Sequence, residues 1–150
     1  MFRAITFVAL LFFAQSAWAC PDFRLNGTAL SYTASQLYSP QTVSAAAGGN
    51  VDLANCMSIP GLGHVMRAPD FTMSYHADRP MQRLEIRTNT GCDSILLVNL
   101  PNGTWLYDDD SNGALDAKIS VFGPQPGTYD IWVGTRYGGY CAGTMTLETF

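Results

Sequence analysis

An all-β fold, an antiparallel β-sandwich of about nine short strands, is what this sequence predicts. Three observations carry that reading. Short apolar runs alternate with turn-forming residues about every 8–12 positions, and no stretch has helical periodicity. Residues 71–75 and 83–87 alternate at period two, as half-buried strands do. Four cysteines, Cys20, Cys56, Cys92 and Cys141, are spread through the chain in a pattern suited to stapling a small β-domain.

Residues 1–19 carry the parts of a secretory signal peptide: basic Arg3, an apolar run, and the A-x-A site Ala17-Trp18-Ala19. The run is too short for a permanent membrane anchor. Cleavage after Ala19 leaves residues 20–150 as one domain, expected in the periplasm or outside the cell. Cys20 directly after the cut raises a lipoprotein signal as the rival. Ala17 and bulky Trp18 stand where such signals usually carry Leu and a small residue, which weighs against it. The formal net charge is −4, and losing Arg3 makes the exported chain more acidic still. That balance gives no support to nucleic acid or anionic membrane as a partner. An even cysteine count in an exported chain reads as two disulfides, with three connectivities open. Zinc is disfavoured because no pair has C-x₂₋₄-C spacing. Strand parity puts Cys141 on the same inward face as Met145 and Leu147, near a strand beginning at Cys92. The expected pairs are therefore Cys20–Cys56 and Cys92–Cys141.

Taken in order, residues 25–28 read as a turn and 30–32 as a strand. The Ala-Ala-Ala-Gly-Gly-Asn segment within 44–50 reads as a small-residue loop before residues 51–53, and 59–63 as another loop. In residues 83–87, Leu84 and Ile86 should face inward and the three charged residues outward. Residues 95–98 are continuously apolar, as in a central strand buried on both faces. Turns at 100–103 and 123–127 flank strands at 104–107, 117–122 and 128–133. The last strand should run over 145–150, after a Gly-rich hairpin tip at 136–139.

Between two of these strands lies the densest charge in the chain. Asp108, Asp109, Asp110 and Asp116 are four of its twelve acidic residues. Counted from Asp108, side-chain oxygens recur at positions 1, 3, 5 and 9, with Gly113 at 6. This is the opening of a calcium loop, D-x-[DN]-x-[DN]-G, although Ile119 replaces the closing carboxylate. The expected ligands to Ca²⁺ are Asp108, Asp110, Asn112 and Asp116, with Asp93 and Asp109 as candidate extra ligands. The competing reading is a turn whose carboxylates cap backbone amides.

From Gly91 onward, three motifs stand in order: an apolar strand closed by Leu100-Pro-Asn-Gly103, the loop Tyr107-Asp-Asp-Asp-Ser-Asn-Gly113, and the strand Pro126-Gly-Thr-Tyr-Asp-Ile-Trp-Val133. Together they resemble the bacterial pre-peptidase C-terminal domain family. The resemblance covers residues 91–150 and is loose before Met81. It implies a sandwich of jelly-roll or Greek-key type, here standing without the peptidase to which such domains are often appended. Some members of that family use the Asp-rich loop for calcium.

His64 and His76 are the residues a hydrolase would need, yet no G-x-S-x-G elbow or Gly-Asp-Ser-Gly segment accompanies them. Trp105, Tyr107, Tyr129 and Trp132 sit in or beside strands and read as core. Tyr137 and Tyr140 flank Gly138-Gly139 at a hairpin tip, where burial is hard to arrange and ligand stacking is easy. The chain thus reads as a non-catalytic binding module whose partner is a protein, peptide or polysaccharide. The alternatives are a secreted hydrolase and a structural subunit of an envelope assembly.

Overall fold

A computed structural model describes residues 20–150; the expected signal peptide, residues 1–19, lies outside them. Two packed sheets build the molecule, as the periodicity requires. In chain order the elements are β1 (Thr28–Thr33), α1 (Ala34–Leu37), β2 (Gln41–Gly48), β3 (Val51–Asp52), β4 (His64–Val65), β5 (Phe71–His76), β6 (Arg83–Thr90), β7 (Ser94–Asn99), β8 (Trp105–Asp108), β9 (Lys118–Phe122), β10 (Gly127–Thr135) and β11 (Tyr140–Thr149). One sheet has the order β2-β11-β6-β9. In the other, β10 is central: β5 and β4 pair with it on one flank and β7, then β8, on the other. No helix among the described residues is long and apolar enough to cross a membrane.

The main core lies between the sheets and includes Met73, Tyr75, Leu84, Ile86, Leu96, Val98, Ile131, Met145 and Leu147. A second cluster sits on the far face of the larger sheet, where Leu53 covers Ile95, Leu97 and Trp132. These two layers explain the uninterrupted apolar run of β7. Leu96 and Val98 face the main core, while Ile95 and Leu97 face the second cluster. The segment around Leu53 is tied down by the disulfide Cys20–Cys56 and by the Tyr107 hydroxyl, which donates to Leu62 O at 2.7 Å. Gly61 packs so closely on the Tyr107 ring that a Cβ would lie 2.1 Å from it.

Both disulfides have the expected pairing, Cys20–Cys56 and Cys92–Cys141. Four expectations need correction. There are eleven strands among the described residues, because the short β4 and the segment around residue 45 also pair. Residues 44–48 are not a loop but the second half of β2, since Ala45 and Ala47 are buried against the facing sheet. Small side chains let the sheets approach there, and packing overrides alanine's weak strand preference. The β1–β5 pair is parallel, the exception in an otherwise antiparallel sandwich. Glu85 does not face water: it is 9% exposed and held by Arg83 and Arg87. The short helix α1 also escaped the periodicity. Its capping box is Thr33 with Gln36: the Thr33 hydroxyl accepts from Gln36 N and the Gln36 side chain from Thr33 N.

Candidate functional site

Two features at one end of the sandwich hold the residues singled out by sequence, the acidic loop between β8 and β9 and the hairpin tip between β10 and β11. In the loop, Asp108 ends β8 and turns back on its own chain. Its Oδ2 accepts from Ser111 N at 3.0 Å and from Lys118 N at 2.8 Å, and the Ser111 hydroxyl donates to Oδ1. Asp116 is 7% exposed, and its Oδ1 accepts from Thr90 N, Thr90 Oγ1 and Ser94 Oγ at 2.9, 3.0 and 3.1 Å. Asn112 Nδ2 donates to Thr88 O at 2.8 Å. Gly113, Ala114 and Leu115 all take positive φ, so the chain reverses sharply between Asn112 and Asp116.

Asp109 and Asp110 belong to a different neighbourhood. Asp109 Oδ2 lies 3.5 Å from the Tyr107 hydroxyl and 3.9 Å from Arg136 Nε. Asp93, at the head of β7, accepts Arg136 N on its backbone oxygen at 2.9 Å. Desolvation raises the Asp93 pKa; nearby Asp110 and Asp109 raise it further, and Arg136 works against them. The six acidic-loop candidates are therefore divided. Asp108, Asn112 and Asp116 knit the loop to β6, β7 and β9, while Asp93 and Asp109 lie beside Arg136 and Asp110 lies near Asp93. Asp108 and Asp116 already accept from protein donors, and among the described residues no group of three His, Cys, Asp or Glu side chains is placed to hold a metal ion.

The tip is built on opposite principles. Gly138 and Gly139 adopt φ of 85° and 79°, a conformation that suits glycine and reverses the chain in few residues. Tyr137 is 80% exposed and Tyr140 66%. Both are restrained from the side: the Arg136 guanidinium lies 5.4 Å from the Tyr137 ring centroid, and the Tyr140 hydroxyl donates to Met66 Sδ at 3.6 Å. Gly48, where β2 ends, lies against the turn, since a Cβ there would meet Gly139 O at 2.2 Å. Cys141, the next residue after Tyr140, is bonded to Cys92. The tip thus presents two aromatic rings on a cross-linked base. Arg136 and Met66 were not singled out by sequence reading. Arg136 had a signal, as the one basic residue in the turn; Met66 had none.

His76 Nε2 contacts Ser74 Oγ at 3.2 Å, but the two are neighbours on one face of β5. No carboxylate hydrogen-bonds the other ring nitrogen of His76 among the described residues. His64 lies under Gly138, at 3.6 Å from where that residue's Cβ would be. Elsewhere, an open groove of about 530 Å³ runs between Phe23, Pro101 and Pro126 with Asp130 in its lining. Asp130 accepts from Thr72 Oγ1 at 2.8 Å, and burial raises its pKa.

No family model matches the chain, and no curated protein sequence matches it. Among solved structures it is similar to a periplasmic inhibitor of g-type lysozyme from Aeromonas hydrophila, at 11% identity and a TM-score of 0.45, over 83% of this chain and 98% of that one. It is also similar to the pre-peptidase C-terminal domain of a collagenase from Bacillus anthracis, at 15% identity and a TM-score of 0.43, over 83% of this chain and 96% of that one.

Proposed function

We propose that this chain is an exported, non-catalytic binding module of the pre-peptidase C-terminal type, and that the hairpin tip is its contact surface. The observation that carries the reading is the pair Tyr137 and Tyr140, exposed on a turn whose base is closed by Cys92–Cys141. A ring four-fifths exposed on a projecting turn lines no cavity of its own. Burying it takes a concave surface supplied by something else, and a protein cleft is the partner of that shape. Tyrosines and arginines dominate binding energy at such contacts, because they bury large area with little conformational entropy to lose. The cross-link, the Met66 contact and Arg136 lower that loss further by holding the rings in place before contact. The two disulfides fit an oxidising compartment, in keeping with the leader at residues 1–19.

The test compares wild type with the double variant Tyr137→Ser, Tyr140→Ser as bait in the source organism's periplasmic and culture fractions. The expected result is a protein retained by wild type and lost by the variant, with the melting temperature unchanged. An identical captured set from both baits would overturn the tip as the contact surface. Purified protein should also leave fluorogenic peptide and ester substrates untouched. Hydrolysis abolished by His76→Ala would overturn the non-catalytic reading.

A further inference from the structure

The outer edge of β2 is a strand-pairing surface that nothing in the fold uses. β2 (Gln41–Gly48) is the terminal strand of its sheet and pairs on one side only, with β11. Among the described residues, the backbone of residues 41–48 makes no hydrogen bond beyond those to β11. Exposed edges invite pairing with other chains, and folded proteins guard them with charges, proline, bulges or shortness. The other edges here are shorter than β2, and two of them are also partly occupied. β9 begins at Lys118, whose amide is already taken by Asp108. β8 has four residues and ends on Asp108, and β3 has two residues. The last amide of β1 is taken by Gln36. β2 has none of these devices: its sequence, Gln-Thr-Val-Ser-Ala-Ala-Ala-Gly, has neither charge nor proline.

We infer that β2 pairs with β2 of a second copy of this chain, antiparallel about a two-fold axis normal to the sheet. The surrounding chemistry selects a copy over a foreign strand. The outward side chains beside the edge, Thr42, Ser44 and Ala46 on β2 and Ala142, Thr144 and Thr146 on β11, are all uncharged. Two copies therefore meet there without like-charge repulsion, although each has a formal net charge of −4. The small neutral side chains offer no pocket or charge for selecting a foreign sequence. They are self-complementary, as a two-fold interface requires.

The burial pattern also restricts the register. A two-fold normal to the sheet keeps each outer face outward, so residues that oppose one another must point the same way. Thr42, Ser44 and Ala46 are exposed, whereas Ala45 and Ala47 are buried. Outward residues must then oppose outward residues, and a slip by one would turn the buried face to solvent. Centring the pairing on Ser44 uses nearly the whole strand, with Ser44 opposite its own copy and Thr42 opposite Ala46.

Sedimentation of the oxidised, signal-free protein tests this. A concentration-dependent monomer–dimer equilibrium is expected, shifted to monomer by Ala46→Lys and left alone by Ser120→Lys on β9. In the Ser44→Cys variant, opposing Cβ atoms would lie about 4.5–5.5 Å apart, close to disulfide reach, so a symmetric cross-linked dimer should form under oxidation. Ser120→Cys should not cross-link in this way. The cross-link decides the matter if Ala46→Lys fails to fold. A wild type that stays monomeric up to ~1 mM overturns the inference. So does a dimer that survives Ala46→Lys, or one that cross-links equally at position 120.

Discussion

Asp70 joins sequence, packing and pH at a single residue. It precedes β5, and its carboxylate accepts Val133 N at 2.7 Å where β10 passes. Burial pushes its pKa up to about 6, against which the amide bonds work only partly. A carboxyl raised in the folded state binds its proton more tightly there than in the unfolded chain. Its contribution to stability is therefore full below the unfolded value near 4 and is lost as pH rises through about 6. Asp22 and Asp78 are shifted the opposite way, Asp22 to about 2 by its bond to Arg24, so the Asp70 effect is read as a difference between proteins. Asp70→Asn keeps an acceptor for Val133 N and removes the charge. It should be more stable than wild type at pH 7 by about 2–3 kcal/mol, with the gap closing toward pH 4. Urea titrations across that range would check it, and a constant gap would mean that Asp70 does not titrate as described. Nothing in the sequence marked Asp70, because its desolvation comes from strands far along the chain.

Among the elements, the acidic loop separates what spacing encodes from what it leaves out. The D-x-D-x-N-G spacing was legible and located a real turn with positive φ at Gly113. What the spacing lacked was Thr90, Ser94 and Lys118, whose donors reach the loop from other strands. Asp116 should accordingly matter for stability and Asp110 should not. Asp116→Ala leaves buried donors unpaired and should destabilise the fold by about 3 kcal/mol. Exposed Asp110→Ala should change it by less than about 0.5 kcal/mol, and chelator should leave the wild-type melting temperature unchanged. Calcium-dependent melting abolished by Asp110→Ala would instead mean that the loop rearranges around an ion. The strands divide in the same manner. β7 was readable because its two apolar faces leave an unbroken run. β2 was read in part as a loop because three consecutive alanines signal nothing locally, and the burial of Ala45 and Ala47 exists only once β10 lies across them. The tip was readable from Tyr137-Gly-Gly-Tyr140, whereas the Met66 contact joins residues 74 positions apart.

At the scale of the whole molecule, stability rests on two cores and two cross-links. Cys92–Cys141 closes a separation of 49 residues, for which chain entropy gives about 4 kcal/mol. The Cys92→Ser, Cys141→Ser double variant should lose about that much in denaturant unfolding while keeping its far-ultraviolet spectrum. Loss of that spectrum would mean that the bridge is needed to form the sheets at all. The order of the smaller sheet, β2-β11-β6-β9, has a further consequence, one of timing. β11 lies between β2 and β6 and bonds to both, yet it comes after either of them in the chain. β2 and β6 have no direct pairing to fall back on, so β2 cannot join the β6–β9 pair until residues 140–149 are free to enter between them. Pairing of such distant segments is intrinsically slow. The smaller sheet is therefore completed only when β11 enters between β2 and β6, after every other strand of both sheets has been made.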